Sequence, residues 1–162
     1  MISKKMADAL NGQIQWEMYS GYIYLAMSAH SETLGLKGVA KWFMVQYREE
    51  MGHAMKMYKY LHEQGSEVEL KVIDQPQKTY ASPLAMFEAS LEHEQGVTKR
   101  INALMDQAIA EKDHATQIFL QWFVTEQIEE EANVQEIIGM LKLVGSQGNG
   151  LFMIDRQLGM RE

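Results

Sequence analysis

The chain has 162 residues, 46% of them apolar, with a formal net charge of -7 and no cysteine. This length allows one domain, 1–162, with a sizeable core, while the missing cysteine excludes disulfides, iron–sulfur clusters and thiol catalysis. The acidic balance disfavours a nucleic-acid partner, and no signal peptide or membrane-spanning run is evident, so we expect no membrane partner and a cytoplasmic location.

Four long helices and one short helix are predicted in chain order. Scarce proline and abundant Met, Leu, Glu, Gln and Ala favour long helices. Ser3 is the expected N-cap of the first helix, and Ser82 followed by Pro83 is a strong start signal for the third. Residues 145–150, GSQGNG, are expected to form a hinge. The expected helices cover about 4–31, 36–64, 83–111, 113–144 and 151–160.

The lengths of the links predict how these helices are arranged. Short links around Gly35 and Lys112 indicate two antiparallel hairpins. The link from Gly65 to Ser82 is long enough to run the length of a bundle. We therefore predict an all-α four-helix bundle, about 4–144, with one long crossover and a short C-terminal fifth helix.

Glutamates occupy the apolar stripe of every long helix. At about 100° per residue, Val39, Phe43 and Met57 lie within roughly 40° of Glu50. His53 lies one turn further along the same face. The same phase puts glutamates in the middle of the other three stripes, namely Glu17, Glu94, and the pair Glu126 and Glu130. Gln127 lies toward the edge of the last stripe.

These acids need partners if they are buried. One unpaired buried carboxylate costs several kcal/mol, and a net stability of about 5–15 kcal/mol does not tolerate four of them. Few lysines or arginines share the stripes at the same depth. Protonation, ion pairing or a bound cation could each remove this cost. Several acids around one histidine favour the cation.

The donor atoms and their spacing indicate which cation. Carboxylates with one imidazole suit iron or manganese, and zinc also fits. Di-metal bundles take a lone glutamate from two helices and a Glu-x-x-His pair from the other two. Glu17 and Glu94 match the lone acids, and residues 50–53 match one pair. In the fourth helix the second pair is altered to Gln127-Ile-Glu-Glu130.

Four stretches together resemble the prokaryotic non-haem ferritins over the whole length of the chain. They are IQWEMYSGYIYL around Glu17, REEMGHAMK around Glu50, LEHEQ around Glu94 and TEQIEEE around Glu130. The resemblance implies a ferritin-like fold, an iron storage function and a ferroxidase reaction, in which Fe(II) is oxidised with dioxygen or peroxide. It also implies a hollow homo-oligomer of 24 subunits around a ferric mineral core.

The resemblance further implies residue roles. One iron would be held by Glu17, Glu50 and His53, and a second by Glu50, Glu94 and Glu130, with Glu50 bridging. Gln127 and Tyr24 would lie beside the pair as catalytic residues. Gln127, toward the oxygen-binding side, would also count among the metal-binding residues, and Tyr24 would supply an electron or a hydrogen bond. A third, weaker iron site would use three further acids: Glu49, Glu126 and Glu129.

Other interpretations stay open at this point. A haem-bearing bacterioferritin would use Met51, but the altered second pair argues against haem as a cofactor. A bundle without catalytic activity would keep its acids protonated or solvated. A DNA-protecting mini-ferritin and a rubrerythrin-like peroxidase fit less well. The four remaining histidines are expected on the surface, and subunit contacts are expected at four outward positions: Trp16, Tyr22, Ile23 and Ile128.

Overall fold

A computed structural model describes residues 1–145 and 148–162, and within these ranges the chain forms five helices and no strand. The all-α prediction is confirmed. The fifth helix begins at Gly148, three residues before the expected start, so part of the predicted hinge is helical; Ser146 and Gln147 of that hinge lie outside the described residues. The helices are α1 Lys4–Thr33, α2 Lys37–Glu63, α3 Pro83–Ala110, α4 His114–Val144 and α5 Gly148–Leu158.

The helices begin where the sequence offers caps. The Ser3 hydroxyl accepts the N–H of Met6 at 3.0 Å, and the Ser82 hydroxyl accepts the N–H of Ala85 at the same distance. Each bond satisfies one of the free N–H groups at a helix start. Gly65, with φ +69, follows the end of α2 in the left-handed conformation that glycine tolerates.

The crossover from 66 to 82 lies along α1. Near one end of α1, Asn11 Nδ2 donates to the carbonyl of Glu67 at 3.0 Å, and Asn11 Oδ1 accepts the N–H of Glu69 at 2.8 Å. Near the other end, the backbone N–H of Tyr80 lies 3.3 Å from His30 Nε2. The predicted crossover therefore spans most of the bundle. No helix within the described ranges is long and apolar enough to cross a membrane.

Two apolar clusters form the core, and the stripe glutamates lie between them along the helices. One cluster, at one end of the bundle, includes Met6, Leu10, Met57 and Leu61. The other, at the opposite end, includes Met27, Phe43, Phe87 and Ile137. Ile23 belongs to the second cluster and is buried, so its predicted place on the outer surface is wrong. Trp16 is half-buried, whereas Tyr22 and Ile128 are exposed as expected.

Helix α5 packs on the start of α2 at Gly38. A Cβ on Gly38 would lie 1.6 Å from the carbonyl oxygen of Asp155, so only glycine allows this approach. The Asp155 carboxylate accepts the N–H of Val39 at 2.8 Å. It therefore caps α2 from another helix, because Leu36 at the N-cap position offers no side-chain bond.

We expect Gly38→Ala to displace α5 while the four-helix bundle persists. The clash costs about 2 kcal/mol, which corresponds to about a 30-fold rise in the undocked population of α5. Limited proteolysis with mass spectrometry would detect earlier release of the C-terminal segment. Gly52→Ala in the same helix is the control, because no atom lies within 4 Å of its Cβ. Equal proteolysis rates for both variants would contradict this packing account.

Candidate metal centre

The middle of each long helix contributes buried polar groups to one layer between the two apolar clusters. Glu17 lies on α1, Glu50 and His53 on α2, Glu94 on α3 and Glu130 on α4. All five side chains are buried, and Glu17, Glu50 and Glu94 are only 1% exposed. The residues that the periodicity places in the apolar stripes therefore form one carboxylate-rich layer, to which all four helices contribute.

The best defined ligand group joins α1 and α2. One ligand atom each from Glu17, Glu50 and His53 lie within 4.8 Å of one another. His53 Nδ1 is 3.5 Å from Glu50 Oε2 and 3.9 Å from Glu17 Oε2. Two carboxylates and one imidazole at this separation are a donor set suited to a borderline divalent cation.

A second ligand group joins α2 and α4. His53, Glu126 and Glu130 also bring one ligand atom each within 4.8 Å of one another, with His53 Nε2 3.8 Å from Glu126 Oε1. The two groups share His53. Glu94 faces the same layer from α3, and its charge contributes to raising the pKa of both Glu50 and Glu130.

The order of burial on α4 differs from the prediction. Gln127 is 5% exposed, whereas the side chain of Glu126 is 28% exposed. The sequence placed Glu126 inside the stripe and Gln127 at its edge, and this assignment is wrong. The buried stripe of α4 passes through Phe123, Gln127, Glu130 and Val134, so Glu126 reaches the layer from its rim.

Burial dominates the electrostatics of the layer. Loss of solvent raises the pKa of Glu94 from 4.5 to about 7 and that of Glu130 to about 8, and the negative charge of Glu94 adds to the effect on Glu130. Burial and the charges of Glu94 and Glu17 raise the pKa of Glu50 well above its ordinary value. These raised pKa values mean that the layer favours bound protons when no cation is present.

One buried carboxylate oxygen in the layer lacks a hydrogen-bond donor among the described residues. Glu17 Oε2 is buried and accepts no hydrogen bond from the described residues, while Glu17 Oε1 accepts the amide of Gln13 at 2.8 Å. An orphaned buried carboxylate oxygen is costly unless a cation satisfies it. Since this oxygen belongs to the group with Glu50 and His53, the residues present fit a metal ion there.

Hydrogen bonds hold Glu94 from two sides. The Tyr24 hydroxyl donates to Glu94 Oε1, and Gln127 Nε2 donates to Glu94 Oε2 at 3.1 Å. Both bonds favour the ionised carboxylate and offset part of the rise in its pKa. The two residues predicted beside the metal pair therefore meet at one carboxylate.

Two further amides anchor carboxylates, and the sequence reasoning missed both. Gln46 Nε2 donates to Glu130 Oε2 at 2.6 Å, in addition to the bond from Gln13 to Glu17. Gln46 and Gln13 are buried. The available signal was their phase, because each lies four residues before a stripe glutamate on its own helix.

The three acids predicted to bind a third iron have different surroundings and different partners. Glu129 is exposed. Glu126 approaches His53, and Glu49 pairs with Arg161, whose Nη2 lies 2.5 Å from Glu49 Oε2. Arg161 was not singled out by the sequence reasoning.

His93 is half-buried, so it is less exposed than its predicted surface location implies. Its ring stacks on Trp16 with centroids 5.7 Å apart, and its Nε2 lies 2.7 Å from the Ser20 hydroxyl. Burial lowers the pKa of His93 from 6.5 to about 4, so the ring is neutral at pH 7. His93 belongs to neither of the two ligand groups.

Comparisons with known proteins agree with this geometry. A family model described as a ferritin-like domain matches residues 7–144. A bacterial non-heme ferritin of Bacteroides fragilis is 46% identical over 161 residues, which cover 99% of this chain and all of that protein. A bacterial non-heme ferritin of Campylobacter jejuni is 42% identical, covering 98% of this chain and 95% of that protein. The crystal structure of an open pore ferritin from Archaeoglobus fulgidus superposes with a TM-score of 0.99 at 46% identity, with both chains fully covered.

Proposed function

This chain belongs to the ferritin family, and from that premise we propose that it stores iron and oxidises Fe(II) at the carboxylate layer. The observation that carries the proposal is the buried group of Glu17, Glu50 and His53 with its unpartnered carboxylate oxygen. The names of the relatives, non-heme ferritins, support iron as the cation rather than zinc or manganese.

We assign two ferrous ions to the layer as substrates. The first is held by Glu17, Glu50 and His53, and the second by Glu50, Glu94 and Glu130, so Glu50 bridges them. Glu126 lies within reach of the same region through His53. Ion binding displaces the proton that the raised pKa keeps on Glu130, and in part on Glu94, at neutral pH.

The reaction is a two-electron transfer. Each Fe(II) gives one electron to dioxygen, two protons are taken up, and the products are two Fe(III) ions and hydrogen peroxide. Gln127 donates to Glu94 and carries no charge, so it orients that ligand without adding to the negative charge of the site. We propose that a site with one histidine releases its ferric product to a mineral core.

Storage requires a container, and we propose a homo-oligomeric hollow shell of 24 subunits. The near-identical fold of the Archaeoglobus fulgidus ferritin supports this assembly. Several exposed apolar side chains of α5 and its surroundings provide surface for subunit contacts, namely Leu143, Phe152, Met153 and Met160.

Aerobic addition of excess Fe(II) to the metal-free protein tests the proposal. Ferric absorbance should rise faster than in buffer, and the iron should co-elute on a sizing column with a particle far larger than one chain. Oxidation no faster than in buffer, with iron precipitating apart from the protein, would overturn both the ferroxidase and the storage proposals.

Tyr24→Phe separates a structural from a redox contribution of this residue. Removing a hydrogen bond to a charged group costs about 1.5 kcal/mol or more, so we expect zinc to bind the layer about tenfold more weakly in titration calorimetry. Tyr60→Phe is the control, because Tyr60 donates to or accepts from Thr116 away from the layer. Unchanged zinc affinity together with slower Fe(II) oxidation would assign Tyr24 a redox role instead.

A further inference from the structure

Arg161 connects the C-terminal tail to the candidate metal centre. Its backbone N–H donates to the carbonyl of Leu158 at 3.3 Å, directly after the end of α5. Its guanidinium lies over the ring of Trp42, 4.5 Å from the centroid, and Nη1 lies 3.5 Å from the Trp42 carbonyl. The head group is therefore held on α2 by stacking and by hydrogen bonds together.

The same guanidinium contacts two polar residues of α2. Nη2 pairs with Glu49 Oε2 at 2.5 Å, and Nη1 donates to Gln46 Oε1 at 2.9 Å. The side chain of Arg161 is 21% exposed, so solvent screens these contacts only in part. A planar group with fixed donors suits simultaneous contact with a carboxylate and an amide oxygen.

Gln46 links Arg161 to the carboxylate layer by hydrogen bonds at both ends of its amide. An amide has an acceptor end and a donor end. Arg161 engages the acceptor end, so the donor end faces α4, where Nε2 donates to Glu130 Oε2 at 2.6 Å. If the amide were reversed, its oxygen would face Glu130 and repel the ionised form of that carboxylate, which is the form that binds a metal ion.

Glu49 is affected in a different way. The family resemblance implies that Glu49 helps to bind a third iron, but here its carboxylate already has a cationic partner. A metal ion at Glu49 must first displace the guanidinium. It would also release Gln46 from the bond that sets its direction.

We infer that Arg161 is a positioning residue that orients Gln46 onto Glu130 and occupies Glu49 in place of a third metal ion. The inference rests on the proposed function, since it concerns how the same layer binds its ions. Because the anchor comes from the tail behind α5, docking of α5 at Gly38 becomes a condition for the geometry of Glu130.

Zinc titration of the metal-free, assembled protein tests this inference without requiring oxidation. For the unmodified protein we expect two zinc ions per chain to bind tightly and a third to bind at least about tenfold more weakly. For Arg161→Met, the third ion should bind about fivefold more tightly because Glu49 is free. The tight pair should bind about tenfold more weakly because Glu130 loses its oriented partner.

The opposite signs identify positioning. Loss of a positive charge alone would strengthen binding of every cation, and weakening of the pair therefore reports the lost orientation of Gln46. Arg156→Met makes the same charge change on an exposed residue of α5 and should leave both affinities unchanged. Glu49→Gln added to Arg161→Met should abolish the gain at the third ion.

Each result decides the inference. Equal titrations for Arg161→Met and Arg156→Met, or tighter binding of all ions in Arg161→Met, would overturn it while leaving the proposed function standing. Fewer than two tight ions in the unmodified protein would overturn both. If Arg161→Met fails to assemble, Arg161→Lys keeps the charge without the planar donors; it should weaken the tight pair alone, and a titration equal to the unmodified protein would overturn the inference.

Discussion

Replacing Glu130 by glutamine is expected to slow Fe(II) oxidation by more than about 100-fold without dissociating the oligomer. Loss of a residue that only supports a ligand typically costs 10- to 100-fold, and Glu130 is proposed as a ligand itself. The amide has nearly the same volume and removes a carboxylate whose pKa burial raises to about 8. The metal-free variant should therefore be at least as stable as the unmodified protein. Stopped-flow ferric absorbance at pH 7 measures the rate.

Glu131→Gln is the matched control for this variant. Glu131 is the next residue of α4 and half-buried, but its carboxylate accepts the Thr98 hydroxyl at 2.6 Å instead of facing the ligand groups. Its rate should stay within about threefold of the unmodified protein, because a glutamine at 131 still offers an oxygen to the Thr98 hydroxyl, which lies 3.3 Å from Gln127 Nε2. Equal rates for both variants would remove Glu130 from the reaction.

The metal-free protein is expected to lose stability as the pH rises from about 5 to 8. Glu94 and Glu130 keep their protons up to pH values of about 7 and about 8 in the folded state, whereas in the unfolded chain they release them near 4.5. The contribution of these raised folded-state pKa values to stability is fully present below pH 4.5, where the carboxyls are protonated in both the folded and the unfolded state. This stabilisation is lost by about 1.4 kcal/mol per pH unit and per group until the folded-state pKa is reached.

Bound zinc should reverse this trend. A metal ion binds the deprotonated carboxylates, so its stabilising effect increases as the pH rises over the same interval. Unfolding temperatures would be measured at pH 5, 6, 7 and 8. They should fall with pH in the presence of a chelator, and rise or stay level in the presence of zinc. In Glu130→Gln the metal-free slope should become shallower, because one of the three carboxyls with a raised pKa is removed. A metal-free curve that rises from pH 5 to 8 would show that these carboxylates are ionised in the fold.

The fold and the buried acids followed from local signals. Ser82 before Pro83 set the start of α3, and the phase of Val39 and Phe43 relative to Glu50 placed that glutamate in the core. Such signals depend on backbone geometry within one helix. They hold wherever the stripe is wide and its centre is clear, as on the first three long helices.

The remaining features depend on contacts between distant segments. Gln127 and Glu126 are 100° apart on α4, and which of them is buried depends on how this 31-residue helix packs against α3. His93 is half-buried because Trp16 of α1 stacks on it. Arg161 meets Glu49 across 112 positions of sequence, and no periodicity relates a tail residue to the middle of α2.

Anomalous diffraction from crystals loaded with Fe(II) under anaerobic conditions tests the central claim most directly. Two iron peaks per chain are predicted, one among Glu17, Glu50 and His53 and one among Glu50, Glu94 and Glu130, with Glu50 touching both. Iron bound only at the protein surface, with the carboxylate layer free of anomalous signal, would contradict the account.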